Sequence, residues 1–504
     1  MGLAPFDLAL VALYLVGITL FGLRFRKKEK TLAGYFLADR SVPWWAIALS
    51  IVSAETSTLT IISIPGLAYD SDFTFLQLVL GYLVARIVIV TIFLPQYFQG
   101  ELYTAYELMA RRFGKRIHRF TAGTFLCTRA LAEGVRVFAI SIVVNIALQK
   151  YLLHFMSEST SVWVSIGIVT FLTLIYTFEG GMTAVIWTDV VQMFIYIGGT
   201  LIGFWTLVHL VPGGWDAIST QVDAAHKFRV FDWVPSWTKP YNFIAGVLGG
   251  TFLTTASHGT DQLMVQRLLA AKNQRESKIA LLSSGGAILL QFTLFLLVGA
   301  SLWVFYHGTP AKELFGRADR IFPSFIVSQM PIGISGLLIA AILAAAMSNM
   351  SAALNSLSSS TVVDFYMRRH PEADLNSRMR ISRWATVGWA LVLFLLAVGT
   401  QYAGQRVLEL GLSLASIPYG GLLGVFLLGV LTKKATETGA LIGMACGMAL
   451  NLWLWIAPMP QVQLMQTKVA FTWYVVLGST VTFTVGYLAS LILAPKADLP
   501  KAPE

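Results

Sequence analysis

The stretch SIVSAETSTLT, Ser50 to Thr60, decides how the whole chain is read. It holds one carboxylate, Glu55, and the hydroxyls of Ser50, Ser53, Thr56, Ser57, Thr58 and Thr60, with Ser63 just beyond. The residues on either side are apolar enough to dissolve in lipid. Scattered hydroxyls in such a segment can bond back to carbonyls a turn earlier and simply help helices pack. A carboxylate cannot be absorbed that way: at bilayer depth it needs a partner, or water. A helix interrupted near Ser53–Glu55 would free backbone carbonyls that can ligate a small hard cation, and its half-helix ends would supply dipoles. No Gly or Pro marks the interruption itself; Pro65–Gly66 comes several residues later.

Working outward, the pattern around this stretch recurs. Of 504 residues, 56% are apolar and only 12% charged, against about 25% charged in a soluble protein. Apolar runs of membrane-spanning length recur from end to end. They predict an all-α polytopic membrane protein with thirteen spans, near 5–23, 43–69, 73–98, 117–149, 161–179, 184–211, 240–266, 277–307, 322–365, 382–400, 405–432, 436–457 and 469–494. No loop is long enough for a separate soluble domain, so a single transmembrane domain is expected. Cys127 and Cys446 both lie in apolar segments and have no zinc or CxxC spacing. Phe6 to Leu23 lacks a basic leader and a cleavage site, and reads as a retained helix.

The net charge of +10 is a topology signal. Most Lys and Arg fall on alternate loops: Arg24–Lys30, Arg40, Ala110–Arg119, Arg267–Lys278, Arg368–Arg383, Lys433–Lys434, and Lys496 with Lys501. By the positive-inside rule that side is cytoplasmic, the N-terminus is outside and the C-terminus inside. This distribution argues against a nucleic-acid partner. The longest outside loop, Val211 to Pro240, carries Trp215, Trp233 and Trp237, which suit interfacial anchoring or a lid.

Further polar clusters lie within spans. In Ala344–Tyr366, Ser348, Ser351, Asn355 and Ser359 share one narrow helical face, with Ala345 and Ala352 beside it. Neutral oxygens at that spacing suit Na⁺; a close helix–helix packing interface would look alike. Asp189 and Gln192 stand a turn apart, where Asp189 could supply charge to a cation site or pair with an inside-loop Arg. Arg129, Glu133 and Arg136 fall at i, i+4 and i+7. Glu133 neutralises one arginine only, and Arg86 on another span could add to the surplus. Arg grips carboxylates bidentately, so this is either an anion site or a structural ladder completed by Glu55 or Glu409. Thr251–Gln262, with His258 and Gly259, is a second hydroxyl-rich stretch.

GGMTAVIWTDVVQ (Gly180–Gln192), AETS (Ala54–Ser57), TDQLMVQRLLAAK (Thr260–Lys272), MSNMSAALNS followed by VVDFY, and GGLLGVFLLGVLTKK (Gly420–Lys434) resemble the sodium/solute symporter family over most of the chain. The resemblance implies a LeuT-type fold of two inverted five-helix repeats, the first helix of each broken at mid-membrane. Here the repeats would be 41–211 and 240–432, after an extra N-terminal helix and loop (1–35) and before two C-terminal helices (433–494). It implies Na⁺ as the coupling ion. The main site would use the carbonyls of Leu49, Val52 and Ala345 and the side chains of Ser348 and Asn349, where the family usually has two adjacent hydroxyls. A second or exit Na⁺ site would use Asp189, Ser348 and Ser351. The substrate pocket would involve Ser53, Glu55, Thr56, Gln77, Tyr82, Thr254, Ser257 and His258. The family's sugar carriers have an aromatic pair where Ser257 and His258 stand and a Lys near Ile288, so a hexose site is not implied. Arg129 and Arg136 favour an anionic or zwitterionic solute, a carboxylate or an amino acid. A sugar or polyol symporter and proton coupling through Glu55, Asp189 or His258 are the alternatives.

The scattered His and the absence of an HExxH-type pattern argue against a membrane-embedded enzyme. A channel would need no stoichiometric coupling. The expected place is the plasma (inner) membrane.

Overall fold

Residues 2–26, 38–99, 105–176, 182–367, 370, 372, 374–403, 406–458, 465 and 467–493 are described in the computed structural model. Lys27–Lys30, Gly180–Gly181, Arg368, the side chain of Ser359, and Lys496 with Lys501 lie outside the described residues. Among the described residues the regular structure is helical throughout, as the recurring apolar runs require.

The long helices are α1 (Pro5–Arg26), α2 (Trp44–Glu55), α3 (Thr58–Asp70), α4 (Leu76–Val88), α5 (Lys115–Leu152), α6 (Glu158–Tyr176) and α7 (Met182–Leu210). They continue with α8 (Phe243–Gly259), α9 (Gln262–Leu269), α10 (Gln274–Phe305), α11 (Ile334–Ser360), α12 (Leu375–Gln401), α13 (Val407–Leu431), α14 (Glu437–Ile456) and α15 (Thr472–Ile492). Among the described residues ten helical spans are long and apolar enough to cross a membrane; α2 and α3 together make an eleventh, and α1 carries a shorter apolar helix, Pro5–Phe21. The stretch expected as one span over 322–365 is two helices. Ile321–Gln329 stops at Met330, and α11 starts after Gly333, whose φ of +90° a side chain would resist. α4 runs on through a π-turn at Ile89–Phe93 into Leu94–Tyr97.

α2 packs on α7 and α10, and α3 on α10. α4 lies against α8 at a crossing of small residues. A Cβ on Gly81 would strike the Val247 carbonyl, and one on Gly250 the Leu78 carbonyl. α1 packs on α11 and α7. Its Asp7 is buried and caps α11, accepting from Gly333 N (2.6 Å), Ser335 Oγ (2.8 Å) and Gly336 N (3.3 Å).

The segment 211–240 is strapped to the end of α3. Lys227, 8% exposed, donates from Nζ to the carbonyls of Ala68 (3.3 Å), Tyr69 (2.8 Å) and Ser71 (2.8 Å), and its ammonium sits over the Trp303 ring. These are the carbonyls that the end of a helix leaves without donors. Burial pushes the Lys227 ammonium below the usual lysine range, with Asp70 and Asp72 opposing that shift. Arg229 pairs with Asp72 at 2.7 Å. Trp237 packs against Trp473 of α15.

Candidate functional site

The interruption expected from the opening stretch lies between Glu55 and Thr58, where the chain bends by 62°. Thr56 leaves the helix at φ −88°, ψ 73°, with its N–H returning to the Val52 carbonyl at 2.8 Å. Consecutive hydroxyl residues compete with the helical ladder here. Thr60 Oγ1 donates to the freed Glu55 carbonyl at 3.3 Å. The second interruption separates α8 from α9 at Thr260–Asp261. Asp261 Oδ1 accepts from Leu263 N at 2.9 Å, and the Tyr97 hydroxyl donates to the Gly259 carbonyl.

Both interruptions border a cavity of about 160 Å³. Of the expected substrate residues, Glu55, Tyr82, Thr254, Ser257 and His258 line it, together with Arg129, Arg136 and Asn349. Ser53, Thr56 and Gln77 do not. Gln77 ties down the loop before α8: its Nε2 donates to the carbonyls of Thr74 and Tyr241, and its Oε1 accepts from Asp232 N. Ser53 and Thr56 belong to the α7–α10 side of the break. Phe75, Phe292 and Tyr419 add aromatic walls.

Glu55 has its partner. Arg86 Nη2 reaches Oε2 at 2.5 Å and His258 Nε2 lies 3.4 Å from the same oxygen. Arg86 is committed further, to Ser284 Oγ and the Tyr82 carbonyl, so it adds nothing to the α5 surplus. On α5, Arg129 (2.8 Å) and Arg136 (2.7 Å) share Glu133 Oε1. Glu133 Oε2 and Arg129 Nε are buried without a hydrogen-bond partner. The ladder is not completed by Glu55; instead Asp261, which also accepts from the Tyr419 hydroxyl at 3.0 Å, lies within the field of Arg129. Glu409 pairs with Arg406 and Tyr241.

Asp189 takes the pairing that its place near an inside loop suggested. Its Oδ2 accepts from Ser50 Oγ (2.7 Å) and Arg267 Nη2 (3.0 Å), while Arg267 Nε donates to Ser50 Oγ (3.0 Å). All three are 2% exposed or less. Ser348 and Ser351, buried on α11, are not among the hydrogen-bond partners of Asp189. Ala345 is also buried; Leu49 is half-buried and Val52 buried on α2. α11 approaches the break where its Ile342 carbonyl accepts from Thr58 Oγ1 at 3.4 Å.

Sequence reasoning missed Asp261 and Tyr419 as wall residues, and Tyr196 and Gln291 behind the break. Asp261 stands in a quoted stretch and could have been found as a second in-membrane carboxylate. The others have no signal in local spacing.

Two interrupted helices meeting at a charged cavity within a bundle are the arrangement of a secondary carrier. The chain belongs to the sodium:solute symporter family, whose model matches residues 35–447. It is 29% identical to a sodium/sialic acid symporter, SiaT, of Proteus mirabilis (strain HI4320), over 96% of this chain and 95% of that one. It is 27% identical to a sodium/glucose cotransporter of Vibrio parahaemolyticus, over 96% and 92%. A solved structure of a Na⁺-coupled sialic acid symporter, substrate-bound and outward-open, superposes with a TM-score of 0.80 at 28% identity, covering 98% of this chain and 99% of that one. Mhp1, a nucleobase-cation-symport-1 family transporter, shares the fold at a TM-score of 0.57 and 13% identity, covering 90% and 93%. The protein is therefore a sodium-coupled secondary transporter of a multi-pass inner-membrane type.

Proposed function

We propose that the protein carries a small anionic or zwitterionic solute inward together with Na⁺. The observation that carries this reading is the α5 wall: two arginines share one oxygen of one glutamate and both face the cavity. Glu133 offsets one of them, and Asp261, which stands in the field of Arg129, is the counter-charge that a solute carboxylate would replace there. Asp261 and Glu55, on the same cavity, suit an ammonium or hydroxyls of the same solute. The sialic acid symporters among the relatives carry an acidic sugar by name, which agrees with an anionic cargo.

In this reading Na⁺ enters from outside and joins the carbonyls of Leu49, Val52 and Ala345 with Ser348 and Asn349. That ties α2 to α11 and favours the outward-open state. Asn349 offers an amide oxygen where a hydroxyl is usual; that oxygen can still ligate the ion, with altered affinity or geometry. Solute binding then closes the outer side. The Asp189–Arg267–Ser50 cluster holds the inner side shut and releases Asp189 to the departing ion when it opens. The N-terminus is outside and the C-terminus inside, and the two inverted repeats span 41–211 and 240–432. Coupling needs a difference of a few kcal/mol in affinity between the two states.

Thermal stabilisation of the purified protein tests this, because a ligand selective for the folded state raises the melting point by mass action. Na⁺ over K⁺ should raise it, an anionic or zwitterionic solute should raise it further in Na⁺, and Arg129→Ala should abolish the second increment. A response to neutral polyols alone would return the arginines to a structural role. A shift that follows pH and ignores Na⁺ would select proton coupling.

A further inference from the structure

Behind the break, away from the cavity, a second group of polar atoms is sealed in the protein. Ser53 Oγ, Tyr196 OH and Gln291 Oε1 sit on residues 1%, 0% and 4% exposed, and none has a hydrogen-bond partner. They belong to one cluster. The Tyr196 hydroxyl on α7 faces Ser53, Thr56 and Gln291 without closing a hydrogen bond to any of them. Gln291 Nε2 on α10 donates to Thr56 Oγ1 at 2.6 Å. Unpaired buried polar atoms are costly, and three in one place ask for a missing partner.

The chemistry of the atoms says which partner. Gln291 uses an amide hydrogen on Thr56, and its oxygen is left over. Ser53, Thr56 and Tyr196 each offer lone pairs. The carbonyls of Ser53 and Ala54, at the C-terminal end of α2, accept no backbone N–H, and that end carries the negative pole of the half-helix. Hard, neutral oxygens around an interrupted helix are a monovalent-cation environment; a divalent ion would demand carboxylates. The carboxylate nearest along α7, Asp189, is held by Arg267. Gln192, between Asp189 and Tyr196 on α7, is also buried with both amide atoms unpaired.

We propose that Ser53, Thr56, Tyr196 and Gln291 form a second Na⁺ seat on the α7–α10 side of the break. It is separate from the α2–α11 seat proposed above and does not depend on it. One helix interruption then serves two ions, one on each side, so that both bind when α2 and α3 are set in a single geometry.

The test is ²²Na⁺ binding to the full chain in detergent. Wild type should bind two ions per chain. Tyr196→Phe, which keeps the ring and removes one oxygen, should weaken one ion at least about tenfold, the floor set by losing even an outer-shell partner. Gln291→Glu, which adds a charge at the same point, should tighten that ion. Ser348→Ala should leave it bound. A single ion lost in Tyr196→Phe leaves this seat standing and fails the α2–α11 seat. A wild-type stoichiometry of one whose ion survives Tyr196→Phe overturns the proposal. So does wild-type sodium binding in Tyr196→Phe, no gain in Gln291→Glu, or loss of all sodium in Ser348→Ala; the cluster then holds water. If Ser348→Ala keeps both ions while Tyr196→Phe loses one, the α2–α11 seat fails and this one stands.

Discussion

Glu133 is a fully buried carboxylate and Glu55 a nearly buried one, and they answer to different partners. Glu55 meets Arg86 from another helix; Glu133 meets two arginines of its own. Removing one member of a buried ion pair costs about 3–5 kcal/mol, because the survivor keeps its charge without compensation. Glu55→Gln should therefore lower the melting point steeply, and Glu55→Gln with Arg86→Gln should recover part of the loss in a double-mutant cycle. Arg136→Gln should be mild, since Arg129 retains Glu133. Glu133→Gln should be severe, since it strands two guanidinium groups; equal melting points for those two variants would contradict the shared-oxygen geometry. The α5 ladder was legible in the sequence because i, i+4 and i+7 fix neighbours within one helix. The Glu55–Arg86 pair was not. Its register depends on how α2 lies beside α4, which no local spacing encodes. Gln77 was misplaced for the same reason: its polarity in a span looks functional until the loop carbonyls that saturate it are seen.

At the scale of elements, polarity suggests an interruption near Ser53–Glu55 and the family resemblance implies one, without Gly or Pro to mark it; it falls slightly later, at Thr56–Ser57. The one at Met330–Gly333 was overlooked because the residues on both sides are equally apolar, so hydropathy reads straight through a turn. The tie between α1 and α11 is also invisible in the sequence, since it joins Asp7 to residues more than three hundred positions away. It has a measurable worth. Asp7→Ala removes the cap of α11 and should cost about 1–2 kcal/mol, seen as a lower melting point, with Asp7→Asn losing less. A bulky residue at Gly250 belongs to a different class. Gly250→Val drives a side chain into the Leu78 carbonyl, so α4 and α8 cannot meet, and the variant should fail to give monodisperse protein on size-exclusion chromatography.

For the whole molecule, the proposed mechanism moves α3 relative to the scaffold, while the end of α3 is strapped by Lys227. Lys227→Met removes three carbonyl contacts at once. It should increase protease nicking within 211–240 and slow uptake, while sodium affinity is unchanged; an unchanged nicking rate would show that the strap holds by other contacts. The strap has a further consequence. In the proposed cycle a travelling half-helix is leashed to a segment that the charge pattern puts outside, with Trp233 and Trp237 more than half exposed. If that side is the outer one, as the charge pattern expects, a stiff antibody fragment gripping the segment would act as a parking brake, halting turnover whatever the cargo, without ever competing for the cavity.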